Sequence, residues 1–286
     1  MKRLIASAAL LALLATACAE TGAQPLGLAP GGGPTRSPSG DPDSPSPIPD
    51  RVMTYELWFN LDGFLFLTHR TEPFEPAVAA RAVESLLEGP DRDEQAAQVG
   101  TSINPGTQLL GITIDDGVAT VDLDATFTDQ ETPAIAVGSL SQVVYTLTQY
   151  DTIRGVVFEV EGAPLTNFGG YELDGAQSRE DFADQLPWIL VESPSIGELL
   201  SSPVTVSGTA DVFEATVSID ILDEGGDTIA STFTTATCGT GCRGTYSTDV
   251  QFQVGSTQPG TVRVYEVSAM DGSPQNVVEI PVTLTA

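Results

Sequence analysis

Two apolar runs in YELWFNLDGFLFLTHR are parted by Asp62-Gly63. Such a pair accepts the positive φ angles of a tight hairpin turn, so the stretch predicts strand, turn, strand. After Pro76, a residue suited to the first turn of a helix, Ala79, Val83, Leu86 and Leu87 recur on one face, and Gly89-Pro90 stops the run. The same succession then follows again. QLLGITIDDGVATVDLD is a second hairpin turning at Asp116-Gly117, and from Thr132-Pro133 a second helix keeps Ala136, Leu140, Val143, Val144 and Leu147 on one stripe. GVVFEVEG returns as a strand. The order ββα-ββα-β predicts a small sheet with both helices on one face, although no side-by-side sequence repeat accompanies it.

Past the polar joint DGAQSREDFADQLP the pattern becomes all-β. Alternating segments recur at VTVSGTA, ATVSIDIL, TIASTFT, YSTDVQFQV, TVRVYEVSA and NVVEIPVTL, separated by Gly, Asp and Pro turns. With WILVESP they make about seven strands, the count of an immunoglobulin-like sandwich. No cysteine pair has the inter-sheet spacing of an antibody domain, and Trp188 falls on the first strand instead of the third. The expected fold class is an α+β domain with a mixed small sheet and two helices, over residues 52–175, followed by an all-β immunoglobulin-like sandwich, over 187–286. The two are expected to fold separately.

The chain begins with the parts of an export signal: Lys2 and Arg3, an apolar stretch from Leu4 to Leu14, then small residues at Ala15, Thr16 and Ala17. The stretch is too short for a bilayer, which needs about 20 apolar residues. Small residues immediately before Cys18 resemble the lipobox of bacterial lipoproteins, with Ala15 in place of the usual leucine three positions ahead. That resemblance implies cleavage after residue 17 and diacylglycerol on Cys18. An ordinary signal cleaved after Ala17 or Ala19 is the alternative. Residues 18–50, rich in Pro, Gly and Ser, have no apolar period and read as a disordered linker. At ~3.1 Å per residue in extended Pro-rich chain it spans at most roughly 90 Å. Gly31 to Gly33 lie in this linker and not between a strand and a helix, so they cannot serve as a dinucleotide turn.

Charge narrows the partners. Against 39 acidic residues the whole chain has 11 basic ones, two of them in the leader. So negative a chain repels polyanions, which excludes nucleic acid, and it repels an anionic membrane surface too. Attachment to the membrane therefore falls to the N-terminal lipid. The expected location is extracytoplasmic and lipid-anchored.

Two segments carry a family resemblance. VATVDLDATF followed by QVVYTLTQYDTIRGVVFEVEG resembles the GerMN domain of sporulation and spore-germination proteins, found also in actinobacterial envelope lipoproteins. PWILVESPSIGELLSSPVTVSGTADVFEATVSIDILD with VYEVSAMDGSPQNVVEIPVTL resembles Gmad2, the immunoglobulin-like domain that accompanies it. The resemblance implies an exported, non-catalytic interaction or complex-assembly module with an envelope protein as partner, and it supplies no catalytic residues and no cofactor. Binding of wall polymer or a small solute is the alternative, and a cell-wall hydrolase is a third reading.

The remaining candidates are few. Cys238 and Cys242 flank Gly239 and Gly241 in an exported chain, where a C-x3-C loop can close as a disulfide; free thiols or a redox pair are the alternatives. His69, the one histidine, has no nucleophile motif near it and cannot build a multi-histidine metal site. Asp122, Asp124, Asp129 and Glu131 are the best acidic cluster. Asp122 and Asp124, two apart on a strand, would face one side and could meet a calcium ion, but the order of a calcium loop is missing, and the expected reading is a solvated strand end without a metal. The expected binding face is the side of the first domain's sheet away from its helices, which needs a cover. If the sandwich covers it, the loops near Asn104 and Asn167 take its place.

Overall fold

The computed structural model describes residues 51–130 and 132–286. The leader, Cys18, the linker through Asp50 and Glu131 lie outside them. Strands β1 (Val52–Leu61) and β2 (Phe64–Pro73) pair antiparallel with Leu61 opposite Phe64, and Asp62 and Gly63 take the turn at φ 52° and 84°. Helix α1 (Val78–Glu88) ends at Gly89. A short helix not foreseen from the pattern follows, α2 (Arg92–Ala96). Its signal was present as Asp91-x-x-Glu94: the Asp91 carboxylate accepts from the N–H of Asp93 and Glu94, and Glu94 accepts from Asp91 N–H at 2.7 Å. Strands β3 (Leu109–Asp115) and β4 (Val118–Leu123) form the second hairpin. A 3-10 turn (Ala125–Thr128) leads to helix α3 (Pro133–Leu147), capped by Thr132. Strand β5 (Gly155–Val160) lies parallel to β4, and β6 (Ala163–Pro164) completes a sheet of order β3-β4-β5-β6. Strands β7 (Asn167–Phe168) and β8 (Tyr171–Glu172) form a small hairpin beyond it.

The expected single sheet is in fact divided. The first hairpin remains a two-stranded sheet of its own, and α3 packs against β1, β5 and α1 together. The helix is interior on more than its apolar stripe, since Ser139, Ser141, Gln142 and Thr146 are each 0% exposed. Polar side chains of α3, with Gln149 just past its end, take the place of a strand beside β1. Gln149 accepts from Glu56 N–H at 2.7 Å and donates to Glu56 C=O at 2.9 Å, Thr146 Oγ1 accepts from Trp58 N–H at 3.2 Å, and Gln142 Nε2 donates to Trp58 C=O at 3.0 Å. Further along, Asn60 exchanges two backbone bonds with Gly100 at 2.8 Å. An edge whose donors and acceptors are already satisfied has nothing left to pair with a neighbouring strand.

A 3-10 segment (Glu180–Gln185) leads into the second half. Its strands are β9 (Ile189–Ser193), β10 (Leu199–Leu200), β11 (Val204–Ala210), β12 (Thr216–Leu222), β13 (Thr228–Thr235), β14 (Gly244–Val250), β15 (Gln258–Val267) and β16 (Pro274–Leu284). Seven answer to the seven alternating segments, and β10 is a two-residue addition. They form two sheets, β10-β16-β15-β12-β13 and β14-β11-β9, the immunoglobulin-like sandwich. Inward residues such as Val206, Ile219, Val262 and Ile280 are buried between them. At the β11 bulge Gly208 leaves no room for a Cβ against the Leu190 carbonyl, which accepts from Tyr246 Oη at 3.0 Å. Trp188 sits one residue before β9 and not on a strand. All described residues belong to one compact unit. No helix among them is long and apolar enough to cross a membrane.

Candidate binding groove

The first hairpin meets the sandwich along β2 and β9, and the segment between the halves is tied down on both sides. Arg179 lies over the rings of Tyr145 and Trp58, 4.8 and 5.3 Å from their centroids, and donates to Thr148 Oγ1 at 2.8 Å and Tyr145 C=O at 3.0 Å. Arg243, whose pKa is lowered by burial, donates to Thr209 Oγ1 at 3.1 Å and to the Pro187 carbonyl. Arg179 thus holds the segment to the first half through aromatic faces and hydrogen bonds, and Arg243 holds it to the sandwich.

A groove of about 610 Å³ lies between the hairpin tip, β9 and β16. The Asp62-Gly63 turn holds Phe64 at the tip, the entry to β9 supplies Trp188, and β16 supplies Val277. They remain 39%, 56% and 45% exposed. Asp62, Gln98 and Asn276 are polar groups of the same lining. Glu279 also lines it, with its carboxylate 2.9 Å from Arg263 Nε. Three apolar side chains from remote parts of the chain thus face solvent around one concavity with polar groups among them, the composition of a binding site and not of a core.

A more polar pocket of about 570 Å³ lies further along the junction, lined by His69, Glu192, Ser195 and Glu198 among others. His69 Nδ1 is 2.9 Å from Ser195 Oγ. No local motif signals this pair, because 126 residues separate its members. The Ser195 N–H, a natural oxyanion donor, is given to Glu198 Oε2 at 2.9 Å, so the pair acts as a hydrogen bond between the halves. The Glu192 carboxyl titrates above the usual range, first through loss of hydration and then through the nearby Glu56 carboxylate, with Arg179 opposing.

Comparison with known proteins follows this division of the molecule. Residues 64–166 match the Germane family, described as sporulation and spore germination, and residues 188–273 match Gmad2, the immunoglobulin-like domain of bacterial spore germination. The chain carries these two domains in that order. Neither family is one of known enzymes. Among solved structures, the tandem GerMN domains of the sporulation protein GerM from Bacillus subtilis align at 15% identity with a TM-score of 0.41, covering 82% of this chain and 61% of that one. The first GerMN domain of the same protein aligns at 23% identity and 0.38, covering 45% of this chain and 99% of that one. The present chain thus spans 61% of the tandem-domain structure's length. No curated protein matches it significantly.

Within the Germane half the acidic candidates do not converge. Strand β4 ends at Leu123, so the alternation that would align Asp122 with Asp124 stops between them. Asp122 accepts from Gly162 N–H at 2.9 Å. Asp124 accepts from Gln108 N–H and Thr126 Oγ1, each at 3.0 Å, and Asp129 closes the 3-10 turn. Among the described residues no group of three or more His, Cys, Asp or Glu is placed to hold a metal ion. The outer face of the sheet presents Val118, Thr120, Asp122, Val157 and Glu159, while Ala119, Val121 and Phe158 point inward and are buried. Asn104 is buried, its amide donating to the carbonyls of Thr126 and Phe127 at 3.0 and 3.1 Å, so that loop is framework. Asn167 is exposed and donates to Glu172 at 2.6 Å.

In the Gmad2 half Cys238 and Cys242 are joined by a disulfide with Cα atoms 5.8 Å apart. Sequence reasoning missed Phe64 and Val277 and used Trp188 only to judge strand order. The one local signal was Asp-Gly, which puts the residue after it at a hairpin tip.

Proposed function

We propose that this Germane–Gmad2 protein is an extracytoplasmic envelope component, anchored by lipid on Cys18, that binds an extended segment of a partner envelope protein in the groove between its halves and catalyses nothing. The observation that carries the reading is the exposure of Phe64, Trp188 and Val277 around one concavity. Aromatic anchors in a pocket supply most of the energy of a protein contact. Asp62 on the rim and a net charge of −28 favour a segment that brings basic residues with its apolar ones. A second reading, a neutral wall sugar, is favoured by the same exposed Trp188 ring beside Asn276.

A photo-crosslinking residue at position 64 in the anchored protein is expected to capture a protein partner in cells, and Trp188→Ser is expected to abolish that capture. Capture of wall glycan alone would select the sugar. Capture unaffected by Trp188→Ser would remove the groove from the function. Cys18→Ser is expected to release the protein from the membrane or leave it unprocessed; normal processing with full retention would refute the anchor. Muropeptide turnover that is lost in Asp122→Asn would refute the non-enzymatic reading.

A further inference from the structure

Strand β13, Thr228–Thr235, is the last strand of the five-stranded sheet and pairs only with β12, with β14 of the other sheet packed nearby. Among the eight strands of the sandwich it alone contains no buried residue, and Phe233 at its outer half is 69% exposed. Among the described residues its backbone makes no hydrogen bond outside its pairing with β12. Exposed edges are normally blunted by charge, proline, a bulge or brevity, and the other edges here rely on charge, brevity or cover. β10 is two residues long, β3 carries Asp115 and a register shift, β14 carries Asp249, and β9 lies against β2. TIASTFTT has neither charge nor proline; one bulge, at Ile229 near its start, leaves Ala230–Thr235 in regular register with β12.

The charge distribution says what can approach it. In a chain with 39 acidic residues, the 228–248 stretch contains none, and its one cation, Arg243, is turned to Thr209 and Pro187. Two copies of so acidic a protein repel each other over most of their surface, but not along this strand. Antiparallel pairing of β13 with its own copy is self-complementary about a two-fold axis. In that arrangement Asp227, just before the strand in each copy, lies at the opposite end from its counterpart, separated by roughly the ~3.4 Å per residue of a strand's length.

We propose that β13 is a self-association edge: two copies of this chain pair β13 antiparallel, joining their five-stranded sheets into one and covering Phe233 of each near the two-fold axis. On a membrane surface this would make each anchored unit bivalent, with two junction grooves held together.

The test uses the full chain in a Cys18→Ser background, which carries no lipid, followed by sedimentation over micromolar to submillimolar concentration. A monomer–dimer equilibrium is expected, with Phe233→Glu weakening association roughly tenfold or more while leaving the melting temperature unchanged, because the side chain is exposed. Mixing Phe233→Glu with Phe233→Lys is expected to restore dimers of mixed composition. A monomer at every concentration overturns the proposal. So does a dimer indifferent to Phe233→Glu, which would place the interface elsewhere.

Discussion

In the Germane half a helix closes the edge of a strand, whereas in the Gmad2 half a strand of comparable length keeps its edge open. β1 gives its outward backbone groups to Gln142 and Thr146 on α3 and to Gln149 just past its C-terminus. β13 gives its own to no partner among the described residues. The first arrangement places amides and a hydroxyl in the core, where each must be fully paired to be tolerated; among the described residues no buried side-chain nitrogen or oxygen lacks a partner. The sandwich needs few such devices, because its stability comes from apolar faces of two sheets. A helix side chain can therefore substitute for a strand, at the cost of making the fold depend on individual polar groups.

The largest way to break that comparison lies at Glu94. Buried at 3% exposure, it accepts from both Arg70 Nη atoms and from Thr68 Oγ1, all at 2.6 Å. Glu94→Ala leaves the guanidinium without its partner and is expected to cost about 3–5 kcal/mol in denaturant unfolding. A loss well under 1 kcal/mol would mean that this half does not rest on its polar groups. Next comes a matched pair of substitutions. Thr146→Val keeps shape but orphans Trp58 N–H, for an expected loss of about 2 to 3 kcal/mol. Ile219→Val, in the sandwich, removes one methylene for about 1 kcal/mol. Reversal of that order would sink the contrast between the halves.

Replacing Cys238 and Cys242 together by serine opens a very short loop and is expected to cost about 2 kcal/mol, with the sandwich still folded; intact mass before and after reduction and alkylation first checks that the exported protein is oxidised. The smallest effect is expected at Glu192. Its folded pKa is raised, so the folded state holds the proton more tightly, and this contribution is complete below the ordinary glutamate pKa and lost as pH rises through the folded value. Because the side chain is well exposed, Glu192→Gln should raise the melting temperature by only about 1–2 °C at neutral pH and by nothing at pH 3. An equal gain at both values would show that charge is not the cause.

Local pattern determined a great deal of this protein. Asp62-Gly63 and Asp116-Gly117 placed both hairpins, Thr132-Pro133 the start of α3, and period-two alternation six of the seven long strands of the sandwich, because turn chemistry and facing preference act over a few residues. The short spacing of Cys238 and Cys242 made their pairing legible for the same reason. Tertiary structure alone decided that the first hairpin stands apart from the second sheet, that Asp122 and Asp124 take separate partners, and that Phe64, Trp188 and Val277 surround one groove. Gln142, Thr146 and Gln149 were visible as polar residues at helical spacing, yet nothing local told that their partners were Trp58 and Glu56, more than 80 residues away. A hydrogen bond or a concavity made between remote segments leaves no period in either one, since each segment satisfies its own local preferences whether or not the other is there.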